Sequence, residues 1–318
     1  MKITDFAILF VIITLPFNIL LGIKTANLNN GLYKSLEMNR IIDTAVEDGV
    51  SQLVTVGGDK EITLNKERAM EAFFNSLFLN MDVVGDEIAQ KKILGYIPAM
   101  VIVDYDGIYL LTNQEYTAAD GYKEIKPIWK PKVPYSYSDG SYIYSFSLDD
   151  YIEIYDIANN RILKGLQGDL KAEIPSDIIQ QDELFENVRR RTIIEAIKRE
   201  VNHSINNHNL IAHQFGITYS FTLPVIDDED WHKTLDDVGM LVFFQGLPIG
   251  IGGQRYNNYA LGGARVVKGQ HYYQQVNPNG ITYYHKEGCP FLLTKEELVD
   301  SRREAARGGA FPCRECWP

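Results

Sequence analysis

The feature that most constrains this chain is an uncharged apolar run close to its N-terminus. Residues 6–23 read FAILFVIITLPFNILLGI and contain no ionisable side chain. A helix of this length covers about 27 Å, just enough to cross the hydrocarbon core of a bilayer. No A-x-A pattern of the kind cleaved in secretory signal peptides follows the run. We therefore predict an uncleaved membrane anchor over residues 1–26; a cleaved signal peptide and a buried core helix are the alternatives.

The charges that flank the run do not decide its orientation. Lys2 lies before it, and Lys24, Lys34 and Arg40 lie after it. A short tail before the span and a long domain after it are typical of a signal anchor whose body is exported. We predict a single-pass protein of the cell membrane with most of its chain on the extracytoplasmic side.

Composition limits the class of partner. The 318 residues are 45% hydrophobic and 23% charged, as in a folded protein with two or three domains. The formal net charge of −11 repels a phosphate backbone on average. We expect no nucleic-acid partner, and the sequence identifies no small-molecule substrate.

Apolar spacing predicts two helices after the anchor. The polar residues 27–31 are expected to break or loosen the anchor helix. After them, a juxtamembrane helix is predicted by the helical spacing of Met38, Ile42, Ala45, Gly49 and Leu53. The other helix is predicted over Lys66–Leu79, with Asn65 as its N-cap.

Strand signals follow, so the predicted fold class is α+β. Two β-rich runs within Ala99–Leu111 flank Asp106-Gly107, which predicts a hairpin with a tight turn of positive φ values. Further strands are predicted over Ser141–Phe146 and Tyr151–Tyr155. A loop or an edge crossing is predicted by Pro127, Pro131 and Pro134.

The longest predicted helix of the body spans Ser176–Gln214, capped by Ser176 or Asp177 and ended by Gly216. Arg189, Arg190 and Arg191 lie among acidic residues, which favours a solvated face over a phosphate site. His203, His208 and His213 are spaced by five residues and do not share a helix face. Ordinary surface histidines are therefore favoured over a metal site.

Two segments after this helix are candidate sites. Asp227, Asp228, Glu229 and Asp230 precede Trp231 but lack the spacing of a calcium loop, so a solvated acidic loop is predicted. Gly246–Gly263 is glycine-rich without the pattern of a phosphate-binding loop. A flexible loop or an assembly contact is predicted there.

The C-terminus carries the most specific motif of the chain. An H-x₃-C pair is followed by 23 intervening residues and a C-x-x-C pair, and all three cysteines of the chain fall in this pattern. Two short-spaced ligand pairs of this kind suit tetrahedral zinc. A Cys313–Cys316 disulfide or reduced thiols are the alternatives. The insert between the pairs is predicted to be a helix that begins with a capping box, Thr294 and Glu297, and ends at Gly308.

This motif, with the following EAARGGAFPCRECWP, resembles the Ada-type metal-binding module and the C-terminal zinc tails of some bacterial nucleases and surface proteins. The resemblance covers about the last 35 residues. It implies one Zn²⁺ with the ligands His285, Cys289, Cys313 and Cys316. The Ada module has a cysteine where His285 stands, so alkyl transfer is not expected. Four protein ligands leave no position for a catalytic water, so the predicted zinc is structural.

The first 55 residues resemble pilin-like subunits, especially the minor pseudopilins of tight-adherence systems. The resemblance rests on an apolar helix followed by an amphipathic helix that ends in AVEDGVSQL. In those proteins the first helix is both an anchor and a packing surface. The resemblance therefore implies protein partners in an assembly.

These predictions divide the chain into an anchor (1–26), juxtamembrane helices with an antiparallel sheet region (27–175), a long helix with a glycine-rich α/β region (176–270) and a zinc-binding module (271–318). The predicted function is a non-enzymatic membrane-anchored component of a bacterial surface, pilus-like or secretion assembly. One alternative is a membrane-tethered hydrolase that uses the acidic run or His232. Another is an extracytoplasmic ligand-binding or sensory domain, suggested by the Asp106-Gly107 hairpin.

Overall fold

A computed structural model gives the architecture of the chain. Two compact units divide it: a body, residues 1–264, and a small unit, residues 265–318. The structure describes residues 3–56, 62–117, 121, 123–226, 230–231, 235, 237–250, 253–264, 272–277, 279–286, 289–293, 297–299, 305 and 308–316. Helices and antiparallel sheets are mixed in the described residues, which confirms the predicted α+β class.

The body begins with one continuous helix, α1 (Ile3–Ser51), of 49 residues. The predicted break at residues 27–31 is wrong, because the helix runs through this polar segment without interruption. Asparagine and glycine disfavour an isolated helix, but tertiary contacts override that preference. Gly31 is buried, and a Cβ atom built on it would lie only 2.0 Å from Oε1 of Gln254. The glycine thus permits close contact between α1 and the body.

The two halves of α1 have opposite environments. An 18-residue window near the N-terminus has a mean hydropathy of 1.5, and none of it is buried within the protein. By length and composition, α1 can therefore span a membrane. In the second half, the predicted apolar stripe is confirmed by the burial of Met38, Ile42, Ala45 and Val46, together with Leu53 just after the helix. The same helix is bare at one end and part of the core at the other.

Two shorter helices follow α1. The strands β1 (Val54–Val56) and β2 (Ile62–Leu64) pair antiparallel and lead into α2 (Lys66–Asn80). Asn65 caps α2 as predicted, because its side-chain oxygen accepts a hydrogen bond from the Arg68 N–H at 3.0 Å. The third helix, α3 (Glu87–Leu94), is capped by Asp86 in the same way.

In the described residues, the core of the body is a nine-stranded sheet with the order β11-β10-β3-β4-β6-β7-β8-β9, and β5 pairs with β4. All of its pairings are antiparallel. β3 and β10 are buried over almost their whole length. The strands are β3 (Ala99–Asp104), β4 (Gly107–Thr117), β5 (Lys123–Trp129), β6 (Val133–Ser138), β7 (Tyr142–Phe146), β8 (Tyr151–Asp156), β9 (Arg161–Leu166), β10 (Gly239–Pro248) and β11 (Arg255–Gly263).

The predicted hairpin at Asp106-Gly107 is confirmed, but its turn lies one residue earlier than predicted. Gly107 belongs to β4 and pairs with Asp104, so Tyr105 and Asp106 form the turn. Neither turn residue has a positive φ value. The turn is instead held by side chains, since Lys132 forms ion pairs with Asp104 and Asp106.

Strands occupy much of two segments that were predicted to be loops. Pro127 lies within β5, which pairs with β4 at an edge of the described sheet, so the predicted edge is correct there. Pro131 lies in the loop between β5 and β6, as predicted, and Pro134 lies within β6. The glycine-rich segment forms most of the β10–β11 hairpin instead of a flexible loop. Its glycines permit close packing: a Cβ atom on Gly262 would lie 2.8 Å from Cγ1 of Val46 on α1.

The helix predicted over 176–214 is interrupted. A short helix α4 (Gln167–Leu170) and α5 (Asp177–Gln180) precede α6 (Asp182–Ile211), and a 3-10 turn follows. Gly216 ends this turn with a φ of 71°, as predicted. The solvated face predicted for the arginines is wrong at Arg189, which is buried and donates a hydrogen bond of 2.7 Å to the Leu148 carbonyl. Arg191 is exposed as predicted.

The three histidines of this region do not form a metal site. His203 and His213 are exposed, whereas His208 is buried. The Nε2 atom of His208 lies 2.8 Å from the Gly95 carbonyl oxygen, so the neutral ring donates to it. Phe215 stacks on the same ring. The prediction of ordinary histidines holds, but His208 is a core residue rather than a surface residue.

Filling the gap between α1 and α2 is expected to destabilise the body. A Cβ atom on Gly49 would lie 3.0 Å from the Ala69 carbonyl oxygen and 3.1 Å from Cβ of Phe73. Gly49→Leu should therefore lower the free energy of unfolding by about 1–3 kcal/mol, measured by urea denaturation of the full chain in detergent. Gly168→Leu is the size-matched control, since no atom lies within 4 Å of its Cβ position. Equal effects of the two substitutions would contradict this packing.

The burial of His208 predicts a loss of stability in mild acid. Burial lowers the pKa of His208 in the folded state, against a smaller opposite effect of its bond to Gly95. The unfolded chain, with a pKa of about 6.5, then binds the proton more readily. The contribution of the neutral His208 to the free energy of unfolding is complete above about pH 6.5. It is lost as the pH falls toward the lowered pKa of the folded state. His208→Gln should flatten the dependence of unfolding free energy on pH between 7 and 5, and His203→Gln should not; an unchanged slope in both would contradict the assignment.

Candidate metal centre

The small unit contains a four-stranded sheet in its described residues. Its strands are β12 (Tyr272–Val276), β13 (Thr282–Lys286), β14 (Glu297–Val299) and β15 (Phe311–Pro312), in the order β14-β12-β13-β15. The described core of the unit consists of Tyr284, Val299, Ala305 and Ala310. Such a core is small, so the unit needs another source of stability.

The predicted start of the helix in the insert is wrong, although Ala305, within the predicted span, is helical. Glu297 begins a strand that pairs with β12, so Thr294–Glu297 does not start a helix there; residues 294–296 lie outside the described residues. The edge of β12 offers hydrogen-bond partners to the backbone of this strand. A capping motif is local in sequence and does not reveal such a distant partner. Gly309, with a φ of 83°, and not Gly308, has the left-handed conformation before β15.

Two neighbouring strands carry the candidate ligands. His285 lies on β13, and Cys313 directly follows β15, which pairs parallel to β13. The Cys313 N–H donates a hydrogen bond of 3.1 Å to the Tyr284 carbonyl, which fixes Cys313 beside His285. Cys289 follows β13 within four residues, and Cys316 lies in the turn after Cys313.

The four predicted ligands come together as one cluster. Nδ1 of His285 lies 3.3 Å from Sγ of Cys289, and the Sγ atoms of Cys289 and Cys313 are 3.9 Å apart. All four ligand atoms, including that of Cys316, lie within 4.8 Å of one another. In a tetrahedral zinc site, metal–sulfur bonds of about 2.3 Å separate two sulfur atoms by about 3.8 Å. The cluster therefore has the spacing of a metal site, and its residues can hold an ion.

No disulfide bond links the three cysteines of the cluster. Cys289 and Cys313 are buried, and Cys316 is half-buried. The Cys289–Cys313 separation of 3.9 Å is nearly twice the 2.05 Å of a disulfide bond. The thiols are thus in the chemical form from which metal ligands are made.

Local electrostatics favour the ligand forms of two residues. Burial raises the pKa of Cys313, but hydrogen bonds from the backbone N–H groups of Cys316 and Glu315 outweigh it, so the pKa lies below its usual value. Burial lowers the pKa of His285. Thiolate and neutral imidazole are the forms that bind a cation, so both shifts favour metal binding.

A groove that sequence reasoning missed lies beside the cluster. It has a volume of about 670 Å³ and is lined by His285 and Cys313 together with Tyr283, Phe291 and Leu293. Phe291 is 57% exposed and Leu293 is 81% exposed. The groove could have been predicted from the length of the insert, because so short a segment cannot bury all of its large apolar side chains.

The other predicted sites do not form a cluster in the described residues. Residues 227–229 of the acidic run, and His232, lie outside the described residues. Asp230 accepts a hydrogen bond of 2.8 Å from the Tyr259 hydroxyl. Nζ of Lys198 lies 5.2 Å from the ring centre of the buried Trp231. Within the part of the chain that the structure describes, the His285 cluster is the only group of this kind that can hold a metal ion.

Comparison with protein-family models, with curated proteins and with solved structures gives no match to this chain. The function is therefore argued from the geometry of the chain itself.

Loss of the metal is expected to unfold the small unit while the body stays folded. The full chain should carry about one metal ion, and chelation should remove the amide protection of residues 272–316 in hydrogen exchange. His285→Ala should act like the chelator, because it removes one of four ligands, whereas His203→Ala, at an exposed histidine, should not. Metal affinity should fall in acid as thiolates are protonated. A metal-free chain with a fully protected small unit would contradict this expectation.

Proposed function

We propose that this chain is a non-enzymatic, membrane-anchored component of a bacterial surface, pilus-like or secretion assembly, with its body exported. The observation that carries the proposal is the division of α1, whose bare apolar half is continuous with a half built into the core of the body. The first half needs a covering of lipid or of other helices, and the second half fixes the body to that covering.

The exposed surface of α1 supports the anchor. Large apolar side chains from Phe6 to Ile23 are more than half exposed. Burial of apolar surface is worth about 25 cal/mol per Å², so a chain that left this helix in water would be strongly driven to bury it. A hydrocarbon core of about 30 Å accommodates a helix of this length.

The metal centre supports a structural and not a catalytic role for the small unit. We propose that the ion is Zn²⁺, because three thiolates and one imidazole suit a tetrahedral zinc site. Four ligands from the chain itself complete the coordination shell, so no open position remains for a water or a substrate. Metal analysis of the purified chain should find zinc, and another tightly bound metal would contradict this assignment.

One observation favours a second function. The groove beside the cluster has the size of a small-molecule site, 670 Å³ against a usual 300–1,000 Å³. It supports the alternative of a ligand-binding or sensory module in the small unit. Substitution of Phe291 by serine separates the two functions, because Phe291 lines the groove. Assembly should stay intact in this variant if the groove takes no part in assembly.

Membrane insertion is expected to depend on the centre of the apolar run. The full chain should stay with membranes after carbonate extraction, and deletion of residues 1–26 should release the body. Leu15→Arg should also release it, because a charge at the centre of a membrane helix costs about 2.5–3.5 kcal/mol. Lys34→Arg, outside the run, is the control. Recovery of the intact chain in the soluble fraction without detergent would contradict the anchor.

The role in an assembly has its own test. Disruption of the gene in its bacterium should abolish a surface filament or a secreted product, measured by electron microscopy and by proteomics of the medium. The wild-type chain should restore it, and the Leu15→Arg chain should not. Normal assembly without the chain would contradict the proposed function.

A further inference from the structure

We propose that α1 pairs in the membrane with α1 of a second copy of this chain, in parallel, along a defined seam. The seam consists of Leu15, Asn18, Gly22, Thr25, Asn29, Leu32 and Leu36. The inference rests on the proposed membrane insertion and names the partner of the bare half of α1.

The spacing of the seam is that of a helix pair. Its members follow one another at intervals of 3, 4, 3, 4, 3 and 4 residues. This average of 3.5 residues is the repeat that keeps one face of a helix against a partner in a left-handed pair. The repeat continues past the apolar run, where Leu32 is 64% exposed and Leu36 is 60% exposed. These two leucines are apolar surface that lies beyond Ile23 and is not covered by the body.

The body leaves the seam accessible. Gly31, Met38, Ile42 and Ala45 face the body and are buried. At 100° per residue, the centre of the seam is turned roughly 160° from the centre of this buried face. Two copies can therefore bring their seams together while each body points away from the helix pair.

The strongest observation concerns the amide of Asn18. This residue lies inside the apolar run, about 5 Å along the helix from its centre. Its Nδ2 atom donates one hydrogen bond of 2.9 Å, to the Thr14 carbonyl of its own helix. An asparagine amide has a second N–H and a carbonyl oxygen, and the described residues offer no partner to either. Hydrocarbon offers none, and an unmade hydrogen bond there costs several kcal/mol.

The second copy is the occupant that this arrangement fits. An amide is both donor and acceptor, so it is complementary to its own copy across a two-fold axis. Both copies enter the membrane with the same orientation, which makes the pair parallel and brings Asn18 opposite Asn18. Gly22, one turn away, has no side chain, so the two backbones can approach closely at this level. Thr25 is already bonded to the Leu21 carbonyl of its own helix and adds no unmet group.

The test is energy transfer between copies of the full chain in phosphatidylcholine vesicles, with donor and acceptor dyes on the N-terminal amine. Association is titrated against the ratio of protein to lipid. Asn18→Leu should weaken it about 3- to 20-fold, the range for an interhelical hydrogen bond in a membrane. Asn18→Gln, which keeps an amide, should largely restore it. Asn30→Leu makes the same chemical change on an exposed position outside the seam and should have no effect.

Flotation of the same vesicles separates the possible failures. A chain that does not float with lipid would overturn both the proposed function and the pairing. A chain that floats but shows no energy transfer at any ratio would overturn only the pairing. Equal association of the wild type and Asn18→Leu, with both in the membrane, would overturn the seam.

Discussion

The contact between the second half of α1 and the rest of the body is the interaction on which this structure depends. Val46 and Gly49 bring α1 against Gly262 of β11 and against α2, at distances that leave no room for a further methyl group. The central strands β3 and β10 are buried nearly throughout, so removal of α1 would expose the core of the sheet. The bare half of the helix is thus held by a contact that also completes the core.

Local signals made part of this fold predictable. The apolar stripe of α1, the N-cap at Asn65 and the hairpin near Gly107 all follow from spacing or turn chemistry within about ten residues. The metal cluster was predictable for the same reason: each ligand pair is short-spaced, and cysteine and histidine are rare enough in this chain for the pattern to stand out. The structure then brings the two pairs together through the pairing of β13 with β15.

The errors share a physical cause, which is contact with residues far away in sequence. Gly31 reads as a helix breaker, but Gln254 packs against it and the helix continues. Arg189 reads as a surface charge, but the carbonyl groups of Ser147 and Leu148 accept its hydrogen bonds inside the body. Glu297 fits the pattern of a capping box, but its backbone pairs with the edge of β12. In each case a tertiary partner outweighs a local preference, which for glycine in a helix is about 1 kcal/mol.

The uninterrupted course of α1 has a mechanical consequence. Flexible linkers let an exported domain swivel freely above the bilayer, but here no joint separates Ile23 from the packed residues near Val50. A tilt of about 20°, ordinary for a membrane helix, would swing the end of α1 sideways by about 14 Å over the 28 residues after Ile23. Rotation of the helix about its axis would turn the sheet by the same angle. In the proposed membrane setting, the body would therefore act as a rigid lever whose orientation is set by the lipid and by the neighbours of the first half.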